Sequence, residues 1–324
     1  MAKPHSNRSS LTRRLIPGLI FGFLVLLALL LAGDLRQVSG RLLTFHWAYY
    51  PLAILLTLVN YSLRFVKWQY YLAQIGVRDF PVLESARLFV AGFPLAVTPG
   101  KVGEALKGVW LKKQTGIPAA RGVSAVLAER ISDGLGVLAL STLGVIAYPR
   151  YWPAFAVVLA GLLGVIVISQ IRPLALGLIG LGERLPLISR FAHLLHEFYA
   201  GSFALFRPRA TLVAVALGTV SWFAEGVGLY LILIGLGASP GGDTFSISVF
   251  VMAFSTVIGA VSALPGGLGA TEASLAGMLV FLLSLPAGTA TAATLLIRFA
   301  TLWFGVALGL VAWLFSRDLL RSGE

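Results

Sequence analysis

What most constrains this chain is its set of apolar runs, several of which reach the roughly 20 residues that cross a bilayer as helix. They fall at residues 15–33, 47–72, 122–148, 153–171, 210–236 and 288–315. Backbone N–H and C=O groups in lipid need partners within the protein, which leaves helical bundles and closed barrels. The short alternating pattern of barrel strands is absent from the sequence. The expected fold is therefore an all-α polytopic membrane protein, one integral domain over residues 1–324, with about six full transmembrane helices. Composition agrees, since mean hydropathy is +0.89 and only 12% of residues are charged, against about a quarter in soluble domains.

Arg13 and Arg14 precede the first run, as they would in a signal peptide. That run is too long for a signal core and lacks a small-residue cleavage site, so it reads as an uncleaved first span. The chain has no cysteine, which excludes disulfides, thiol catalysis and cysteine metal sites. Its net charge of +12 follows a membrane rule rather than marking a nucleic-acid partner. Lys3, Arg8, Arg13 and Arg14 lie before the first span, and Arg64, Lys67, Arg78, Arg87 and Arg121 lie around and after the second. Arg172, Arg184, Arg190, Arg207 and Arg209 fill the central linker, and Arg317 and Arg321 the tail. With both termini cytoplasmic, only Arg36, Arg41 and Arg150 fall outside, and this asymmetry sets the orientation. The expected location is a bacterial cytoplasmic (inner) membrane.

Two interruptions of the apolar pattern resemble each other. "TPGKVGE" (98–104) and "LPGGLGATE" (264–272) share Pro-Gly-x-apolar-Gly followed by an acid. The stretch 56–76 precedes the first as 217–237 precedes the second, and Arg130 of 128–140 matches Arg298 of 296–308. Three matches in register suggest a duplicated unit: repeat 1 over 47–148 and repeat 2 over 210–315. Residues 83–97 would make roughly 22 Å of helix, short for a span. The Pro-Gly breaks thus read as tips of re-entrant hairpins, 83–113 and 245–285; the alternative makes each hairpin two crossing helices. A linker span, 153–171, and a cytoplasmic amphipathic linker, 172–208, separate the units, so the second runs inverted. Inverted repeats with broken helices place binding sites near the midplane in transporters.

Arg130 lies roughly 12 Å into its span, and Arg298 at similar depth. A charge at such depth needs a partner or a water-filled cavity. Arg130 and Asp133 can pair on one helix face, Glu129 needs another cation or a proton, and Glu225 has Arg298 as its expected partner. One reading is of structural ion pairs stapling helices. The other is a polar cavity shared by the hairpin tips, where helix starts after Gly100 and Gly267 offer N–H groups to a phosphate and Lys101 adds a charge. The candidate lipid-binding set is Arg64, Thr98, Pro99, Gly100, Lys101, Gly103, Glu104, Glu129, Arg130, Asp133, Glu225, Pro265, Gly266, Gly267, Glu272 and Arg298.

Other motifs fail. "TPGKV" lacks the glycine and the Ser or Thr of a nucleotide phosphate loop, having Leu95 and Val102 there. "GGLGATE" has Glu272 where the dinucleotide pattern needs its last glycine. His193, His196 and Glu197 sit in an amphipathic stretch, 183–206, that reads as an interfacial helix rather than a metal site. No cofactor or metal is expected.

The stretches "RFVKWQYYLAQIG", "TPGKVGEALK", "AERISDGLGVLAL" and "LPGGLGATEASLAG" resemble the lysylphosphatidylglycerol synthase transmembrane-region family, also called flippase-like proteins. In its best-known members this region is thought to translocate an aminoacylated lipid, and a soluble aminoacyl transferase domain follows. The present chain stops at Glu324, so the resemblance implies a stand-alone member without that domain. It carries over Arg64, Lys101, Glu104, Glu129, Arg130 and Asp133 as motif positions and leaves the lipid open among phospholipids, hopanoids and polyprenyl-linked sugars. The leading expectation is a translocase for an anionic or zwitterionic lipid that uses no ATP and is not an enzyme. The alternatives are an accessory subunit for a lipid-modifying enzyme, docked through the basic surface at 183–209, and a head-group transferase. The partners expected are a lipid substrate, no nucleic acid, a lipid-modifying enzyme and a second copy of the chain.

Overall fold

A computed structural model describes residues 7–98, 103–147, 152–184 and 189–316. All regular structure among these residues is helical. Helix α1 (Asn7–Ala32) and short α2 (Leu35–Leu43) lead into α3 (Tyr49–Gln74). Next come α4 (Val82–Ala91), a 3-10 turn (Phe93–Val97), α5 (Leu106–Thr115) and α6 (Ala119–Ala147). The linker comprises α7 (Trp152–Gln170), α8 (Arg172–Glu183) and α9 (Ala192–Leu205). The second half repeats the pattern of the first. It has α10 (Pro208–Gly235), α11 (Gly242–Val261), a 3-10 turn (Pro265–Gly267), α12 (Ala270–Leu283) and α13 (Ala287–Arg298). A π-helical turn (Phe299–Trp303) joins α13 to α14 (Phe304–Phe315).

Among the described residues, five segments are long and apolar enough to cross a membrane: Leu15–Ala32, Pro208–Gly235, Gly242–Val261, Pro265–Leu283 and Ala287–Phe315. The pair α7 and α8 raises this to six if counted as one span, although α8 turns away by 92°. Helices α3 and α6 span roughly 39 and 43 Å by helical rise, and their length would suffice. Both carry buried charges described below. The two hairpins differ in a way the sequence reading did not anticipate. Arms α4 and α5 are 10 residues each, about 15 Å of helix and too short to cross. In the second hairpin α11 has 20 residues and has the length of a full span.

The two halves meet through α3 and α10. On α3 the inward stripe contains Ala53, Thr57, Asn60, Lys67 and Tyr71; on α10 it contains Ala214, Gly218, Ser221, Glu225, Gly228 and Ile232. Each residue of the first stripe aligns with one of the second at an offset of 161. Their small side chains let the backbones approach closely. At the crossing the Asn60 amide donates to the Ser221 carbonyl (2.9 Å), and the Ser221 hydroxyl donates to the Asn60 carbonyl (3.2 Å). Equivalent residues that contact each other reciprocally lie on a two-fold relation. Ala53 lies beside Gly228, and Lys67 beside Gly218, so the helices run antiparallel.

The same exchange recurs outward. Helix α6 packs on α10 and α11, while α14 packs on α4 and its 3-10 turn. The two 3-10 turns touch each other, with Val97 against Gly266. Two apolar cores flank this centre. Trp68, Tyr71, Leu88, Phe89, Trp110 and Leu111 fill one, and Leu229, Ile232, Leu233, Phe250, Leu275 and Leu279 the other.

Candidate functional site

The charges gather where the halves meet. On α6, Glu129 and Asp133 are buried, and a buried carboxylate is stable only with cations and hydrogen bonds around it. Glu129 Oε1 accepts from Arg64 Nη2 at 2.7 Å and from Arg130 Nη2 at 2.8 Å. Its Oε2 accepts from Lys107 Nζ at 3.0 Å. Asp133 Oδ1 accepts from Lys67 Nζ, while Oδ2 has Arg64 Nε at 3.7 Å and Arg130 Nη2 at 3.8 Å. Arg130 Nε also reaches Glu104 Oε2 at 3.3 Å. The local Arg130–Asp133 pair is thus present but long.

Lys67 and Lys107 were missed as site residues because their neighbours in sequence read as a solvated cytoplasmic face. The structure buries both. Lys107 Nζ also sits 5.0 Å from the Trp68 ring and 5.3 Å from Phe89, faces that attract a cation. Gly92 leaves room for its stem, since a Cβ there would stand 2.6 Å from Lys107 Cδ. The available signal was spacing: Lys67 and Arg64 share one helical face, three apart.

The second half holds a matching pair. Arg298 Nε donates to Glu272 Oε1 at 2.5 Å and Arg298 Nη2 to the Gly266 carbonyl at 3.2 Å. This overturns the expected Glu225–Arg298 pair. Glu104 and Arg130 are 26 residues apart, as are Glu272 and Arg298. In both halves, the acid after the hairpin tip meets the arginine of the helix that follows the hairpin, α6 or α13. Glu272 Oε2 also accepts from the Gly269 N–H at 2.6 Å. The N–H groups of Gly267, Leu268 and Gly269 are therefore engaged within the chain, the first two by the Leu264 and Pro265 carbonyls, and are not free for a phosphate. Gly266 and Gly269 take φ of 62° and 85°, a left-handed backbone that explains glycine at this tip.

At the first tip, Thr98 Oγ1 accepts from the Gly103 N–H at 2.9 Å and donates to the Leu95 carbonyl at 2.6 Å. Pro99, Gly100 and Lys101 lie outside the described residues. In the π turn after Arg298, the Thr301 carbonyl accepts from the Tyr61 hydroxyl at 2.7 Å. Such turns recur at functional sites.

Beside the two 3-10 turns lies a cavity of about 130 Å³, lined by Arg64, Glu104, Lys107, Arg130, Glu225, Gly266, Gly267 and Arg298 among others. Pro265 belongs to the adjoining turn. Several polar atoms here lack a hydrogen-bond partner although buried, namely Arg64 Nε, Glu104 Oε2, Arg130 Nε and Asp133 Oδ2. Buried polar atoms of this kind call for water or a ligand. A groove of about 380 Å³ adjoins the cavity, sharing Glu104, Arg130 and Trp222, with Val123, Val126, Leu127, Val137 and Val257 as walls.

The linker histidines have other partners. His196 Nε2 is 2.9 Å from Glu183, and Glu197 pairs with Arg121 at 2.5 Å. No cluster of three metal-ligating acids, histidines or cysteines occurs among the described residues.

Comparison with known proteins bears directly on these residues. The family model described as the lysylphosphatidylglycerol synthase TM region matches residues 15–309, a range that includes both hairpins and every ion pair of the cavity. The chain belongs to this family. Relatives of this family member include a UPF0104 membrane protein of Methanothermobacter thermautotrophicus, 25% identical, with 89% of each chain covered. Another from Pyrococcus horikoshii is 23% identical over 94% of this chain and 98% of its own. A third, from Methanocaldococcus jannaschii, is 26% identical over 56% of this chain and 76% of its own. The family member described here is accordingly a multi-pass integral membrane protein.

Proposed function

We propose that this protein moves a lipid with an anionic or zwitterionic head group between membrane leaflets without nucleotide. A phospholipid and a polyprenyl- or hopanoid-type lipid are the classes considered. One observation carries the reading: the cavity lies where the 3-10 turns of two equivalent hairpins meet, between antiparallel equivalent helices, and it is lined by arginines held in ion pairs. Broken helices at a repeat interface suit binding near the midplane, with access alternating as one repeat rocks against the other. The adjoining groove has a charged floor and apolar walls, which suits a head group with its chain alongside. The arrangement favours a carrier over an enzyme because all but one of its carboxylates are occupied by cations and none belongs to a nucleophile–base pair.

We place the protein in a cytoplasmic membrane with both termini inside, on the charge asymmetry alone. The relatives above are archaeal, so a specifically bacterial inner membrane is left aside. A docking role for a lipid-modifying enzyme has weaker support, in the basic residues Arg190, Arg207 and Arg209 flanking α9.

The test is reconstitution of the purified chain into liposomes carrying a fluorescent phospholipid or a labelled polyprenyl phosphate. Bleaching from outside should reach about half the label in empty vesicles and nearly all of it in protein-containing ones. Unchanged protection across both lipid classes would overturn the reading.

A further inference from the structure

The five cations Arg64, Lys67, Lys107, Arg130 and Arg298 each have a carboxylate within ion-pair reach. Of the five buried carboxylates around them, four are engaged in those pairs. Glu225 is the exception. It is 5% exposed and lines the cavity, yet no cation among the described residues comes within 4.0 Å. The groups facing it are Tyr61 and Arg64 from α3, Asp133 from α6 and Arg298 from α13. Helix α11, which also packs on α10, carries one charge, Asp243, in its first turn.

With Glu225 ionised, the five positive and five negative charges of this group among the described residues cancel. An anion entering the cavity then adds a charge with no compensation in a low-dielectric interior, which is unfavourable. A proton from water, added to a Glu225 carboxylate oxygen, restores neutrality. Glu225 is suited to receive it because protonation there breaks no ion pair, whereas protonating any other carboxylate of the group breaks at least one.

We propose that Glu225 is a proton-binding site that couples anion binding in the cavity to uptake of one proton. This rests on the translocation reading for its biological use, and it supplies that reading with a source of energy other than nucleotide. Lipid and proton would cross together, and an imposed pH gradient would bias their direction. Glu225 occupies the position equivalent to Arg64. One half thus contributes a permanently charged group and the other a titratable one, so the two-fold relation is broken where the coupling needs it.

Infrared difference spectroscopy of the full chain in phosphatidylcholine nanodiscs tests the proposal. The expected result is a protonated-carboxyl band that fades as pH rises and is missing in Glu225→Gln. Glu225→Asp should keep a band, which separates loss of the carboxyl from altered packing. Added glycerol phosphate should move the wild-type midpoint upward by about 1 pH unit, as a nearby like charge does. A band that survives in Glu225→Gln, or a midpoint that glycerol phosphate leaves in place, overturns the proposal. If band and shift are present while liposomes show no lipid movement, the translocation reading falls and the proton site stands.

Discussion

Replacing Arg298 by methionine isolates one ion pair. Glu272 is 1% exposed and holds two contacts, the Arg298 guanidinium and the Gly269 N–H. Arg298→Met removes the cation and leaves the carboxylate buried with a single donor. Breaking a buried pair from one side costs about 3–5 kcal/mol. Glu272→Gln differs because Arg298 lines the cavity and keeps the Gly266 carbonyl, so its cost should be roughly 1–3 kcal/mol. The double variant has no stranded charge, and its cost should fall short of the sum by about 2–3 kcal/mol. Unfolding in mixed micelles titrated with a denaturing detergent would read all four corners of this cycle. Polar pairs inside membrane proteins average about 0.6 kcal/mol of coupling. A value at or below that would refute the claim that this pair is a desolvated ion pair. The companion cycle, Arg298→Met with Glu225→Gln, should show no coupling of comparable size.

The equivalent substitution Arg130→Met should cost a comparable amount, about 3–5 kcal/mol, because it takes the cation from buried Glu104 even though Glu129 keeps Arg64 and Lys107 and Asp133 keeps Lys67; the same unfolding titration compares the two. Gly136→Val should destabilise by about 1–3 kcal/mol, since a Cβ there stands 2.7 Å from the Thr219 backbone nitrogen and forces α6 away from α10; a lower unfolding midpoint checks it. Single cysteines at Lys112 and Asp243 should label from opposite sides of the membrane, and labelling from one side would contradict the inverted arrangement. Lys101→Ala should leave the unfolding midpoint unchanged and slow movement of a labelled anionic phospholipid, whereas lost stability with intact transport would make Lys101 a structural residue.

Local pattern was enough to find the helices. An apolar run, a Pro-Gly break or an amphipathic face is written in residues a few positions apart, and lipid leaves the backbone little choice but helix. The duplication was legible too, because "TPGKVGE" and "LPGGLGATE" keep their order and spacing. Which charge meets which was not. Hydropathy registers that Arg298 is costly in an apolar span, but it is indifferent to whether Glu225 or Glu272 stands beside it. That choice depends on how the second tip folds back on α13, a contact across 26 residues. For the same reason Lys67 and Lys107 read as solvated charges until α6 brought Glu129 and Asp133 against them. The sequence by itself determined the helices and their two-fold plan, since these follow from short-range sterics and desolvation. Only the tertiary structure decided the pairing of the buried charges, because Coulombic partners are set by distance in space between elements far apart in the chain.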